Sequence, residues 1–374
     1  MTIQLFKPYI GEEEIKAVSE VLRSGWIGLG PKTIEFEKKF ARYIGVEHAV
    51  ALNSGTAALD MALKLFNIID EDEVIVPTMT FVSTAHAVLY NQATPVFVDV
   101  DPVTLNMDLD DVARKITRKT KAIIPVHYSG RPVDIDRLKE IIGDRDIKII
   151  EDCAHACGAE YKGKKCGSLG DVGCFSFHAV KNLAIGDGGV ITLNNEKKAD
   201  RAARLRWLGI DKGTWDRSKI EQKYWWEYAV DEIGLKCHMN DIMAAIAIVQ
   251  LQKLDEMNFD RRKIACRYTA ILKNIDGLET PLMDNDDYKS SWHIYCIKCK
   301  NGRRDELSQY LEKHKIITGV HYKPIHLYNC YGNIEPLPKA EAVFKEILSL
   351  PIHPNLKGWD IETVIGAILD FFNE

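Results

Sequence analysis

The chain has 374 residues, 46% of them apolar, and a formal net charge of −5. That length buries a large core and favours two domains over one, while the charge leaves no excess of Lys and Arg to neutralise a nucleic-acid backbone, so no nucleic-acid partner is expected. No stretch approaches about 18 uninterrupted apolar residues, and Met1–Pro8 lacks a basic stretch followed by an apolar segment, so no membrane association is expected and the expected location is the cytoplasm.

Taken in chain order, the first 240 residues alternate short apolar runs with helical patterns, the signature of a mostly parallel sheet covered by helices. Strands are expected at 48–52, 73–77, 95–99, 122–126, 147–151 and 190–193, with helices over 80–91 and 134–142. From Asn240 to about Leu272 apolar positions recur three or four apart through Ile242, Ala245, Ile246, Val249 and Leu254, which predicts one long amphipathic helix suited to linking two domains. A strand at 292–299, a helix at 304–314, a loop region dense in His, Tyr and Pro, and a last helix at 361–372 follow. No repeat or low-complexity tract interrupts this order.

The nine cysteines form an odd set without a leader, which argues for reduced thiols. Cys296 and Cys299 make a lone CxxC with no second pair to complete a zinc site, and the alternation over 292–299 reads better as a strand; no metal is expected.

Ligands in open α/β sheets gather at the carboxyl ends of strands, so polar residues just after the runs are the site candidates. Asn53-Ser54-Gly55-Thr56 follows a strand and opens a helix, where backbone N–H groups and a hydroxyl suit an anion; simple N-capping by Ser54 or Thr56 is the plainer reading of the same residues. Glu151-Asp152 ends another strand, and a carboxylate there can pair with a protonated ring nitrogen, although Asp at a strand end also serves as a turn residue. About 30 residues later the segment 175–189, Phe-Ser-Phe-His-Ala-Val-Lys-Asn-Leu-Ala-Ile-Gly-Asp-Gly-Gly, sets Lys181 between an aromatic-serine strand end and a glycine-rich turn that lets backbone pass beside a cofactor. A lysine amine that forms a Schiff base and a carboxylate partner are what pyridoxal 5′-phosphate requires.

With these motifs, and with 24–31 (Ser-Gly-Trp-Ile-Gly-Leu-Gly-Pro), Pro77-Thr-Met-Thr-Phe81, Pro125-Val-His127-Tyr-Ser-Gly130 and Gly319-Val-His321-Tyr322-Lys-Pro324-Ile-His326, the chain resembles the DegT/StrS-type sugar aminotransferases nearly end to end. The resemblance implies a fold-type I α/β enzyme, with a large mixed, mostly parallel sheet domain over 1–245 and a smaller α+β domain over 246–374 that includes the linking helix. It implies pyridoxal 5′-phosphate as cofactor, cycling through pyridoxamine phosphate. Lys181 matches the Schiff-base lysine, Asp152 the partner of the ring nitrogen, Gly55, Thr56 and Ser176 the phosphate-binding positions, Phe81 the residue stacked on the ring, and His155 the position beside the ring hydroxyl. Trp26, Ile27, His321, Tyr322 and His326 match regions that contact a nucleotide-linked sugar.

One position departs from the pattern. Many members place an asparagine two residues after a glycine, reaching from the neighbouring subunit to the phosphate, whereas Gly234-Leu235-Lys236 puts Lys236 there; a cation suits the same anion, and a solvent-facing lysine is the alternative. The resemblance still implies a homodimer with shared active sites, passing an amino group from L-glutamate, released as 2-oxoglutarate, to a keto sugar on a nucleotide diphosphate. The preferred acceptor by analogy is a 4-keto-6-deoxyhexose, with an inosose as runner-up. A sugar dehydratase of this kind carries histidine in place of the lysine, which Lys181 disfavours, and a non-catalytic binding role completes the alternatives. Trp207, Trp215 and 224–226 (Tyr-Trp-Trp) form an aromatic group that lines the pocket or simply packs.

Overall fold

The computed structural model describes residues 2–211, 215 and 227–373. Among them β1 (His48–Leu52), β2 (Glu73–Pro77), β3 (Thr94–Val98), β4 (Thr120–Ile123), β5 (Lys148–Asp152), β6 (Glu160–Tyr161), β7 (Lys164–Lys165), β8 (Val172–Ser176) and β9 (Gly189–Leu193) alternate with helices. Seven of these strands form one sheet in the order β1-β9-β8-β5-β4-β2-β3. Pairings from β3 across to β8 are parallel, whereas β9 is antiparallel to both β8 and β1, so β9 alone runs against the other six. The strands are buried Val, Ile and Ala runs covered on both faces, as crossover helices demand.

The reversal of β9 positions the site. The carboxyl ends of β1, β2, β5 and β8 all lie along one edge of the sheet, and β9 begins there, with Gly189 opposite both Leu52 and Ser176. A Cβ on Gly189 would sit 2.2 Å from the Ser54 carbonyl oxygen, so only glycine lets the start of β9 pass beside the Ser54 turn.

The predicted linking helix runs from Asp241 to Leu272, capped by the Asn240 side chain, which accepts from the Met243 amide at 2.9 Å. Its first half packs Ala244, Ala247, Ile248 and Leu254 into a core with Phe36, Phe40 and Phe177, and its second half packs Ile264, Tyr268 and Leu272 among the C-terminal elements. The expected boundary at 245/246 thus falls within a continuous helix. The C-terminal strands β10 (Leu278–Glu279), β12 (Tyr295–Cys299) and β13 (Ile347–Leu350) make an antiparallel sheet, while β11 (Tyr288–Lys289) pairs with β6. Cys296 packs with the sheet's core and Cys299 with the C-terminal core, so the CxxC cysteines point to opposite faces of β12 as strand periodicity requires. Among the described residues no helix is long and apolar enough to cross a membrane.

Candidate active site

A cleft of about 350 Å³ lies at the strand-end edge, lined by Gly55, Thr56, Phe81, Asp152, His155, Ser176, Lys181, His321 and Tyr322 among others. These candidates come from stretches far apart in sequence. Gly55 and Thr56, Phe81, Asp152 and His155, and Ser176 and Lys181 follow the carboxyl ends of β1, β2, β5 and β8, the placement that open α/β sheets give to ligands, while His321 and Tyr322 come from the C-terminal part of the chain.

Gly55 begins the helix Gly55–Leu65, whose N-cap Ser54 accepts from the Ala57 amide at 3.1 Å. Gly55 and Thr56 line the cleft at the start of this helix, where first-turn amides have no intrahelical acceptor, and the Thr56 hydroxyl lies 2.7 Å from the Ser83 hydroxyl. A Cβ on Gly55 would lie 2.7 Å from that of Ser176, so the missing side chain opens a cradle between helix and strand. This donor set fits a small anion such as a phosphate monoester.

Asp152 closes β5 and is buried. One carboxylate oxygen accepts from the Thr84 hydroxyl at 2.9 Å, and the other from the Ala154 amide at 3.1 Å. Burial pushes its acid up from the usual carboxylate range, against those two bonds and the charge of Lys181. Lys181 sits on the loop after β8, its amide bonded to the His178 carbonyl at 2.8 Å. Its amine, enclosed by the cleft walls, is lowered to about 8 by burial, with Asp152 pulling the other way. A base that is neutral part of the time thus shares one cleft with a carboxylate.

Behind them His155 Nε2 lies 2.9 Å from the Tyr322 hydroxyl and the two rings stack at 5.8 Å, while His155 Nδ1 is buried with no partner. Burial, then Lys181 and His321, holds His155 well below its usual range, so it is neutral. His321 is lowered to about 4 by burial and then by Lys181, and its Nδ1 lies 2.9 Å from the Ser349 hydroxyl. Phe81 is 57% exposed at the cleft mouth, its ring 6.2 Å from Tyr322. A flat aromatic cofactor carrying a phosphate fits the cleft: the cradle takes the anion, the unpaired His155 nitrogen a polar substituent, and Phe81 offers a flat face.

Other candidates lie elsewhere. Trp26 and Ile27 line a second cleft of about 480 Å³ with Arg204, Trp207, Asp211 and His238. Their loop is held by Asp241, whose carboxylate accepts from the Gly30 amide at 2.9 Å and the Thr33 hydroxyl at 2.8 Å. Lys236 Nζ stands 3.4 Å above the Trp207 ring, outside the lining of the strand-end cleft of its own chain. His326 is buried, with Nδ1 2.6 Å from the Thr78 hydroxyl and Nε2 3.3 Å from Glu341, and does not line the strand-end cleft. Trp215 packs edge-on to Trp26 at 4.7 Å, whereas 224–226 lie outside the described residues.

The residue types alone do not disclose the bonds that hold the site. Thr84, Asn182 and His293 look ordinary in sequence; Asn182 adjoins Lys181, yet its partners stand at 258, 291 and 293. His127, Glu151 and Cys153 come close enough to resemble metal ligands. Glu151, however, already accepts from the Gly167, Leu169 and Gly170 amides at 2.7–2.9 Å and lies 2.9 Å from His127 Nε2, while His127 Nδ1 accepts from the Val133 amide. That cluster braces β5 beneath Asp152.

An amine and a carboxylate lining one cleft at the strand ends of such a sheet fit an aminotransferase-type α/β enzyme. The chain belongs to the DegT/DnrJ/EryC1/StrS aminotransferase family, which it matches over residues 8–369 and which depends on pyridoxal phosphate. It is 40% identical to the spore coat polysaccharide biosynthesis protein SpsC of Bacillus subtilis, covering 97% of this chain and 95% of that one. It is 38% identical to a dTDP-4-dehydro-2,3,6-trideoxy-D-glucose 4-aminotransferase of Saccharopolyspora spinosa, over 97% and 94% of the two chains. The structure of the putative sugar aminotransferase Spr1654 from Streptococcus pneumoniae superposes with a TM-score of 0.93 in its PMP form, at 34% identity over 99% of both chains, and 0.92 in its PLP form, at 33% identity over 100% and 99%.

Proposed function

We propose that this aminotransferase moves an amino group from L-glutamate to a keto sugar carried on a nucleotide diphosphate, with a 4-keto-6-deoxyhexose as the preferred acceptor, for amino sugars of a surface polysaccharide, glycan or antibiotic. The observation that carries the reading is the pairing of Lys181 and Asp152 in one cleft, the amine drawn down and the acid pushed up by the same burial. The named activity of the Saccharopolyspora relative supports a nucleotide-linked keto sugar.

Pyridoxal phosphate, when bound, supplies an electron sink for the carbon that loses or gains a proton. In this reading Lys181 holds the cofactor covalently and, once released, moves the proton as general base and acid; an amine near pKa 8 exchanges protons readily at neutral pH. Asp152 keeps the ring nitrogen protonated, and a cationic partner relieves the cost of burying that carboxylate. Gly55, Thr56 and Ser176 would hold the phosphate, Phe81 would stack on the ring, the free His155 nitrogen would meet the ring hydroxyl, and His321 and Tyr322 would lie toward the acceptor. Trp26 and Ile27 are assigned to the acceptor from their separate cleft, buried His326 is left to brace Thr78 and Glu341, and Lys236 is assigned to the cofactor phosphate of a neighbouring subunit in a homodimer.

The test is a screen of 3-keto and 4-keto sugars on UDP, dTDP and GDP, alongside inososes, with the aminated carbon located by NMR. Amination of a nucleotide-linked 4-keto sugar supports the reading; amination of inososes alone replaces the acceptor class.

A further inference from the structure

We propose that Asn182 is a positioning residue for Lys181: it pins the lysine-bearing loop to the C-terminal half of the chain and fixes His293 as its Nδ1–H tautomer. The inference rests on the reading of Lys181 as the cofactor's covalent partner and deepens it.

Asn182 is 4% exposed, and its side chain bridges the loop to two remote segments. Its Nδ2 donates to Asn258 Oδ1 on the linking helix and to the Ser291 carbonyl, both at 2.7 Å, while its Oδ1 lies 3.0 Å from His293 Nδ1. The hydrogens follow by elimination. The Ser291 carbonyl can only accept, so the Asn182 nitrogen must face it; the opposite flip would set two acceptors against each other. Asn258 is oriented by the same logic, because its Nδ2 donates to the Cys157 carbonyl at 2.9 Å, leaving its Oδ1 to accept from Asn182. Asn182 Oδ1 is therefore the acceptor toward His293, and His293 Nδ1 must carry the proton. With Nδ1 protonated and the ring held neutral by burial, Nε2 of His293 is bare.

The consequence reaches the cleft. His293 packs 4.6 Å from the His155 ring and stacks on Phe6 at 5.4 Å and 15°, so its orientation sets the back wall against which His155 and Tyr322 lie. Lys181 is the residue immediately before Asn182, so the amide fixes the backbone from which the amine reaches. All partners of Asn182 lie on the C-terminal side of residue 240, so the amide ties the loop bearing the amine to those segments. Buried amide networks of this kind hold geometry because each unmade bond leaves a desolvated group.

The experiment compares PLP-loaded parent, Asn182→Asp and Asn91→Ala in the single-turnover reaction with L-glutamate, following loss of the visible band. Asn182→Asp preserves size and the acceptor toward His293, but turns a carboxylate oxygen onto the Ser291 carbonyl and Asn258 Oδ1. Asn91→Ala removes a buried amide bonded to Asp60 and the Ala87 carbonyl, at the far end of the helix Ser83–Tyr90, and controls for lost stability alone. The expected result is a limiting rate lower by on the order of tenfold to a hundredfold in Asn182→Asp, with the glutamate concentration at half-saturation and the bound cofactor little changed. Asn91→Ala keeps the parental rate. Equal rates in parent and Asn182→Asp, or losses that match Asn91→Ala, overturn the positioning role. A second measurement needs no variant: ¹⁵N NMR of labelled histidines is expected to show His293 protonated at Nδ1, and protonation at Nε2 overturns the network. A parent that fails to react with L-glutamate, while His293 shows the expected tautomer, defeats the amino-transfer reading and not the network.

Discussion

The Thr84 hydroxyl donates to Asp152 at 2.9 Å, joining the first turn of one helix to the end of β5. Because that proton is committed to Asp152, the Thr80 hydroxyl, 2.8 Å from Thr84, must donate to Thr84 in turn. The buried carboxyl is thereby aimed by neutral donors; among the described residues no arginine or lysine is hydrogen-bonded to it.

Asp152→Asn preserves shape and removes charge. Cofactor binding is expected to survive better than turnover, which falls by about a hundredfold, the scale for losing one oriented electrostatic group. Unchanged steady-state turnover would move the ring-nitrogen partner elsewhere. Thr84→Val, which leaves one Asp152 oxygen short of a bond, is expected to lower stability by about 1–3 kcal/mol in the apo-protein, read by denaturant unfolding.

Gly55→Ala tests the anion cradle. The new methyl meets Ser176 at 2.7 Å, so helix and strand must part. Overpacking of this kind costs about 1–3 kcal/mol. The loss is expected mainly in cofactor affinity, measured by equilibrium dialysis of pyridoxal phosphate, and parental affinity would place the phosphate elsewhere.

Strands and helices were legible in the sequence because their patterning is local. β1 and β2 begin and end where the apolar runs do, and the linking helix starts one residue after its Asn240 cap. The strand expected over 292–299 begins only at Tyr295, because Trp292 adopts a positive φ of 51° and the 290–294 segment bonds to Ser129 and Gly130 instead. The two-residue strands β6, β7, β10 and β11 are too short to carry a period. The direction of β9 was equally hidden, since a buried run reads the same in either orientation. Motif residues of the strand-end cleft could be named because chemistry restricts their type, whereas the amide network around Asn182 joins positions 76 and more residues apart that carry no shared pattern.

The lowered amine of Lys181 predicts a pH dependence. Below about 8 the apo-protein's amine is protonated and cannot attack an aldehyde; above it the neutral form dominates. Capture of pyridoxal phosphate by apo-protein should therefore accelerate as pH rises through about 8, rather than through the usual lysine range. The linked stability has a definite sign. Between about 8 and the ordinary lysine value of 10.5 the unfolded chain binds the proton and the folded chain does not, so this group's contribution to stability rises with pH there. A capture rate with its midpoint above 10 would contradict the assignment of burial as the dominant influence.

Mixed dimers test Lys236. If it serves a neighbour's cofactor, a dimer pairing a Lys181→Ala subunit with a Lys236→Ala subunit has its one lysine-bearing site completed by the intact Lys236 of the other chain. That dimer should show about half the parental activity, while the Lys236→Ala homodimer binds pyridoxal phosphate more weakly, by about tenfold for roughly 1.4 kcal/mol. Equal cofactor affinity in that homodimer and the parent would leave Lys236 with its Trp207 contact alone.

The covalent role of Lys181 is read out by borohydride reduction of the PLP-loaded protein, with and without prior L-glutamate, followed by peptide mass spectrometry. The cofactor's mass is expected on the peptide containing Lys181, and is expected to disappear after glutamate has carried the amino group onto the cofactor. Labelling of a different lysine, or a Lys181 label that L-glutamate leaves untouched, would contradict it.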